Sequence, residues 1–413
     1  MTAQPFAAQL DVMARLQEPD NRKDPFPFLA WLREHDPVHQ TPRGTYVLSR
    51  HADVAQVLQE SGTVFLSPDR AKLATQFPEA LQHRSMAVFA SSIAVSNPPE
   101  HTRLRKVVSR EFTARRVVGL RPRITEICDR LIGEIAEPLL DGEEVDLQRR
   151  FAEPLAIGTL SVLLGVPDED RVWLASLVEG VLSAFPGAPA DVIARADWLT
   201  AEMEEYLVSL IERRRNAPED DLITALAGPN EDLAEHELVP MLWALWCAGF
   251  KTSAAGISNG VLAVLEHPDQ VHWLERDASA FANEVLRLNP PTILTPFVRI
   301  ATRDVEFGGG TVTAGSDVRL LIGAANRDPE VFDDPERFDP SRDTKASLAF
   351  AGGIHFCVGA GLARAEMEIA LPRLRAQLPS LGYASEPTWS PAVFHHMVKT
   401  LPVVHRRTDG RKR

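Results

Sequence analysis

The stretch Leu348-Ala349-Phe350-Ala351-Gly352-Gly353-Ile354-His355-Phe356-Cys357-Val358-Gly359-Ala360-Gly361-Leu362-Ala363-Arg364-Ala365-Glu366 puts one cysteine in a glycine-rich loop. An alanine- and leucine-rich helical pattern follows directly from Ala360, and Pro372 is expected to kink or end it. Cys357 then stands at a helix N-terminus, where unpaired backbone N–H groups and the positive dipole end favour an anion. A thiol so placed is expected to have a lowered pKa and to act as thiolate, the form that binds metal. Gly353 and Gly359 allow positive φ and close approach of the backbone to something flat or bulky. Phe350 offers an aromatic face beside them. Taken alone, a single cysteine after a turn is more often an inert core residue. Zinc is disfavoured, because no second cysteine or histidine pair lies at ligand spacing nearby.

The chain has 413 residues, 45% of them hydrophobic, which suffices for a sizeable core. A net charge of −13 argues against non-specific nucleic-acid binding. The three cysteines, Cys128, Cys247 and Cys357, lie far apart. No disulfide framework is expected, and the compartment reads as a reducing one, the cytoplasm. Met1 to Asp24 has no apolar run preceded by positive charge and does not read as a signal peptide. No run of apolar residues is long enough for a membrane span. Residues 1–24 read as polar and loosely ordered, 25–405 as a single domain and 406–413 as a basic tail.

Pro25-Phe26-Pro27 leads into a short helix ending near His35. Val38 to Arg50 alternates around a turn at Gly44 and reads as a hairpin, followed by a helix from His51 to about Glu60. Phe65 to Ser96 is weakly periodic and reads as loop with short helical turns. Long helical patterns run from Arg121 to about Glu137, Leu147 to Leu164, Asp168 to Leu182 and Pro189 to Arg214. The breaker cluster Phe185-Pro186-Gly187-Ala188-Pro189 separates the last two. Phe297–Ile300, Val305–Phe307 and Thr311-Val312, turning at Gly308-Gly309-Gly310, read as short strands. The chain is therefore mainly α, a large helical domain with a small β-rich lobe from about 38–60 and 293–322.

Four further stretches carry possible chemistry. In Asn97 to Val108, tandem prolines start a helix that places His101 and Arg105 on one face, which alone reads as a solvated basic face. Glu237 to His267 is about 30 residues of helical pattern, with Ala248-Gly249-Phe250-Lys251-Thr252-Ser253 at its centre. A mid-helix glycine costs roughly 1 kcal/mol against alanine, so Gly249 signals close approach or distortion. Thr252 can turn its hydroxyl to a carbonyl three or four residues back. Glu284 and Arg287 pair on one helix face just before Pro290-Pro291. Arg299, in an apolar strand, needs an anionic partner.

Together these stretches resemble the cytochromes P450, from about residue 20 to 405 and in the family's order. Phe350-x-x-Gly353-x-His355-x-Cys357-x-Gly359, continued as Leu362-Ala363-Arg364-x-Glu366, is similar to that family's haem-ligand loop. The resemblance implies the P450 fold, with Cys357 as axial thiolate on the iron of haem b. Phe350, Gly353, His355 and Gly359 then lie around the cofactor, and His101, Arg105 and Arg299 meet its propionates. Such a thiolate favours O–O cleavage. Ala248-Gly249-x-x-Thr252 resembles the helix across the distal haem face. There Gly249 would leave room for dioxygen and Thr252 would donate it a hydrogen bond. With Pro335-Glu336-Arg337-Phe338, the resemblance implies a buried Glu284–Arg287–Arg337 network behind the loop. Residues 168–214 match a mobile lid over the substrate channel. Thr292 to Phe297 would pass over the haem, and Ala244, Cys247, Thr295 and Phe394 would line the pocket. His395 and His396 are adjacent and point to different faces, so they read as part of a pocket-lining turn rather than a metal pair.

The implied activity is insertion of one oxygen atom of O2 into a small organic substrate, a secondary-metabolite intermediate free or bound to a carrier protein. Electrons would come from NAD(P)H through a ferredoxin and its reductase. Arg103, Lys106 and Arg110 are the expected ferredoxin contacts, with Arg105 occupied by haem; no nucleic acid and no membrane is implied. Two positions depart from the family: Asn97 replaces an aspartate, and Lys251 replaces the acid associated with proton delivery. A charged lysine donates hydrogen bonds but accepts none. Either Lys251 turns away to water or an acid, or proton delivery is rearranged around Thr252, Ser253 and water. The second possibility keeps peroxide-driven or oxidative-coupling chemistry open. A non-enzymatic haem sensor would need no groove at Gly249–Thr252.

Overall fold

Leucine and alanine at helical spacing through the middle of the chain give long helices, and these set the frame. The computed structural model describes residues 10–76, 79–182, 188–228 and 232–406. Its principal helices are α1 Glu100–Ser109, α2 Ala114–Leu140, α3 Glu153–Leu164, α4 Arg171–Val181, α5 Ala190–Asn216, α6 Glu235–Glu266, α7 Ala278–Leu288 and α8 Ala360–Gln377. At 32 residues α6 is about 48 Å long. It is buried nearly all round, with Trp246 and Phe250 among the largest sealed side chains, so it forms the axis of the core. α3 packs on α2 and α6, and α8 packs on α2, α6 and α7.

Several boundaries depart from the sequence reading. α2 starts at Ala114, where the Thr113 hydroxyl accepts from Arg116 N at 3.3 Å, and it runs through Pro122. Pro122 leaves the Val118 carbonyl without its helical donor, and Val118 is 64% exposed, so water can serve instead. Pro372 does not end α8, which continues to Gln377. Burial of Ile369, Leu371 and Leu374 outweighs one lost hydrogen bond. Phe65–Ser96 holds helices Arg70–Gln76 and Arg84–Ala90, more order than its weak periodicity suggested. Residues 10–24 are not loose: helices Val12–Leu16 and Pro19–Lys23 form there, and Asp11 caps the first while Val12 is fully buried. The expectations for residues 1–9, for Phe185–Gly187 and for most of the basic tail lie outside the described residues.

The β-rich lobe is a five-stranded sheet, ordered β1-β2-β5-β4-β3, with the separate antiparallel pair Val305–Phe307 and Gly310–Val312 packed against it. The sheet's strands are β1 Val38–Gln40, β2 Tyr46–Leu48, β3 Phe65–Leu66, β4 Arg299–Ala301 and β5 Asp317–Leu320. β1 and β2 form the expected hairpin, β5 lies parallel to β2, and β4 is antiparallel to β5 and β3. One face buries Val318 and Leu320 with Val54, Val57 and Leu58 of the helix His51–Gln59. That packing brings the cysteine loop, α1 and β4 toward one another.

Candidate active site

The cysteine loop is built by backbone bonds. Cys357 N donates to the Phe350 carbonyl at 3.0 Å, and Phe356 N to that of Gly353 at 3.2 Å. Gly353 has φ +61, and a Cβ there would overlap the carbonyl oxygen of Leu58, so only glycine lets the loop lie flat on the helix His51–Gln59. Gly359 has an ordinary φ of −82, so the positive φ expected there is not used. Asn326 Oδ1 accepts from Leu348 N at 2.7 Å and fixes the loop's start. Arg364 donates from Nε to Asn283 Oδ1 at 2.8 Å and stacks 4.5 Å from the Phe350 ring centre. Cys357 is accessible yet deep in the protein, as a side chain lining a recess is. Burial pushes its thiol up; the N–H groups of Gly359 and Ala360 and the charges of Arg105 and Arg364 pull it only partly back. The lowered pKa expected from the helix terminus is thus corrected: desolvation exceeds the dipole.

Facing this loop is an excess of cationic groups. His101 and Arg299 are buried, and the His101 and His355 rings lie 4.4 Å apart. Burial, then Arg105 and Arg299, lowers His101 to about 4. Burial and the same neighbours lower His355 to about 2, so both rings are neutral at physiological pH. Burial lowers Arg299 to about 10. Its Nη1 donates to Val298 O at 3.2 Å, while its Nε is buried without a partner. Among the described residues, no carboxylate lies within ion-pair distance of His101, Arg105 or Arg299. A dianionic group fits here, and the two propionates of a haem held by Cys357 would match the charge and the donor set. Asn97 also finds its reason: Oδ1 accepts from Ser67 N at 2.8 Å while Nδ2 donates to Ser67 O at 3.0 Å, which an aspartate could not do. Ser67 Oγ in turn meets His355 Nε2 at 3.1 Å.

On α6, Ala244, Ala248 and Thr252 recur every four residues on the less buried side, and Thr252 Oγ1 donates to Ala248 O at 2.8 Å. Gly249 does not face that side. A Cβ there would stand 2.8 Å from Leu160 Cδ2, so its small size serves the close approach of α3. Cys247 is buried in the helical core, its thiol pushed up by burial, rather than lining the pocket. Lys251 turns to Glu153 at the start of α3, Nζ to Oε1 3.1 Å. Glu366 is sealed beneath α6 and burial raises it to about 8. The nearby hydroxyls of Ser253 and Thr159 offset this in part, though neither Thr159 Oγ1 nor Glu366 Oε2 completes a hydrogen bond.

Behind the loop, Glu284 and Arg287 are fully buried and bidentate, at 2.8 Å in both bonds. The third member is not Arg337, which is 62% exposed and pairs with Asp334 and Asp339. Arg342 reaches Glu284 Oε1 from Nε at 3.3 Å, with its side chain 10% exposed, and Arg337 contributes only its carbonyl. The basic face of α1 is also accounted for. Arg103 meets Glu237 and the Asp232 carbonyl, and Lys106 and Arg110 meet the Asp232 carboxylate while staying more than half exposed. Thr295 accepts from Leu320 N at 3.0 Å, and Phe394 O accepts from Ile293 N at 3.0 Å. His396 stacks on Trp389 and meets the Lys23 carbonyl, which ties it to the fold. Across the channel region, α5 is pinned to the helix Arg84–Ala90 by Asp197, which accepts from Ser85 N, Ser85 Oγ and His83 Nδ1.

Asn326, Arg342, Glu153 and Ser67 were missed as site residues because each acts across long sequence separations. Arg364 and Glu366 stood in the quoted stretch, and their spacing on α8 was the available signal.

The sequence profile of the family described as Cytochrome P450 matches residues 278–374. Cytochrome P450 BJ-3 of Bradyrhizobium diazoefficiens is 41% identical, over 96% of this chain and 97% of that protein. Cytochrome P450 monooxygenase PikC of Streptomyces venezuelae is 37% identical over 98% and 96%. Among solved structures, P450BioI in complex with hexadec-9Z-enoic acid ligated acyl carrier protein superposes with a TM-score of 0.85 at 28% identity, covering 94% of this chain and 99% of that one. No helix among the described residues is long and apolar enough to cross a membrane.

Proposed function

The chain belongs to the cytochrome P450 family, and from that premise we propose that Cys357 is the thiolate ligand of its haem. Its monooxygenase activity then acts on a small organic molecule of secondary metabolism. Electrons come from NAD(P)H by way of a ferredoxin and its reductase. The observation that carries the site assignment is the partnerless, buried Nε of Arg299 beside His101 and Arg105, next to the one accessible cysteine. When bound, haem supplies dioxygen activation at its iron, and a thiolate ligand favours O–O cleavage.

The protein's own groups have distinct tasks. The N–H groups of Gly359 and Ala360, with Arg105 and Arg364, hold negative charge at Cys357 Sγ once the thiol proton has left. Arg105 and Arg299 bind carboxylates, and neutral His101 donates a hydrogen bond. Ala244 and Ala248 keep one wall of the pocket shallow, while the Thr252 hydroxyl holds a transferable proton. The substrate in this reading is free or carrier-bound, the second because the similar P450BioI is solved with an acyl carrier protein.

The test is the reduced protein with carbon monoxide. Wild type is expected to show the red-shifted Soret band after which the family is named, and Cys357→Ser to lose it with circular dichroism unchanged. A wild-type protein without that band overturns the assignment. A second reading, peroxide-driven or coupling chemistry, is favoured by one observation: the residue before Thr252 is a lysine held by Glu153. Faster product formation with hydrogen peroxide than with ferredoxin would select it.

A further inference from the structure

Arg319 lies on β5, on the opposite face from Val318 and Leu320. Its Nη1 donates to the carbonyls of Thr295 at 2.8 Å and Pro296 at 2.9 Å. Its guanidinium stands 5.0 Å from the centre of the Phe394 ring. One cation therefore joins the two segments assigned to the substrate pocket, and its protein partners are neutral. Among the described residues no carboxylate lies within ion-pair distance of it, and Asp317, two residues along the same face, acts only from further away. Arg214, Arg287 and Arg327, by contrast, each meet a carboxylate. A guanidinium stripped of most of its water and left without an anion is costly unless an anion arrives.

The unused edge has a specific shape. Nη1 is taken by the two carbonyls, while among the described residues Nε and Nη2 meet no hydrogen-bond partner and are not sealed from solvent. That edge is the planar fork that matches a carboxylate bidentately. A clamp between two carbonyls needs donors but no charge, so donors alone do not account for an arginine.

We propose that Arg319 is the anion-recognising residue of the substrate pocket, and that the enzyme takes substrates ending in a carboxylate seated on Nε and Nη2, with the apolar body passing Phe394 and Thr295. The proposal rests on the pocket assignment made above. It names a class, carboxylates with an extended apolar body.

The experiment titrates the haem-loaded protein with myristate and with 1-tetradecanol, equal in chain length and different in charge. Calorimetry reads binding, and the haem spectrum gives a second signal. Wild type is expected to prefer the acid by about tenfold or more, a preference that shrinks as salt rises. Arg319→Gln, which keeps donors and removes charge, should lose that preference while holding its affinity for the alcohol. Arg319→Lys should keep part of it. Equal affinity of wild type for both probes, or an unchanged preference in Arg319→Gln, overturns the proposal. A preference that ignores ionic strength also overturns it, and needs no variant. The carbon monoxide band separates the two levels: with the band present and no acid preference, only the role of Arg319 falls.

Discussion

Glu284 keeps a carboxylate where no water reaches, and its charge is met from three sides: Arg287 through two bonds, the Asp339 N–H at 3.0 Å and Arg342. Removing one partner of such a buried set leaves charge uncompensated, typically costing 3–5 kcal/mol. Arg342→Ala is therefore expected to lower unfolding free energy by about 3 kcal/mol, whereas Arg337→Ala, at a solvated pair, should change it by less than about 1 kcal/mol. Urea unfolding of both variants decides this, and equal losses would sink it. Glu284-x-x-Arg287 was legible because i, i+3 spacing is local. Arg342 was not, because it reaches Glu284 from a loop far along the chain, and nothing local distinguishes it from Arg337. Glu366 gives a pH signature. It titrates at about 8 in the folded chain, against 4.5 when solvated, because burial disfavours its charge. The folded state keeps a proton that the unfolded state releases between those values, so stability falls as pH rises through that window. Glu366→Gln should flatten the decline of melting temperature from about pH 5 to 8; parallel slopes for the two proteins would refute the assignment.

At the scale of elements, glycines and ion pairs mark where backbones meet. Gly353→Ala would force a Cβ into the Leu58 carbonyl at φ +61, and neither strand of backbone can yield cheaply. Strain of this kind costs roughly 1–3 kcal/mol before the overlap is added. The variant is expected to melt lower and to take up substoichiometric haem, measured as the haem-to-protein absorbance ratio; full loading would contradict it. Gly249 shows how a motif can be legible and its reason hidden: the glycine stood out in the sequence, but only the packing of Leu160 shows what approaches it. Lys251 and Glu153 join α6 to α3 with both side chains about a quarter exposed. Lys251→Glu would set two acids together, and adding Glu153→Lys should recover up to about 1 kcal/mol of the loss. A double variant no better than Lys251→Glu would count against the pair. The long helices were readable because periodicity is local. The order hidden in Phe65–Ser96 was not, since its short helices take their stability from contacts with distant parts of the chain.

At the scale of the molecule, the candidate site lies where two differently built parts meet. His101 and Arg105 come from α1 of the helical part, whereas Arg299 comes from β4 of the sheet. No carboxylate of the described chain bridges them. Two arginines with no carboxylate therefore meet around His101 and His355, and a bound dianion would tie the two parts together. A ligand at a thousand times its dissociation constant stabilises by about 4 kcal/mol, and the stabilisation goes to the elements it contacts. Haem removal should accordingly lower the melting temperature, because it leaves the buried Arg299 guanidinium with no anion in place of its lost water. Hydrogen exchange should then locate the loss: α1, β4 and β5 lose protection first, while α2, α3 and the buried half of α6 keep theirs through contacts that do not involve the site. Uniform loss of protection across both parts would mean that the junction does not depend on the dianion, and the charge argument for this site would fail with it.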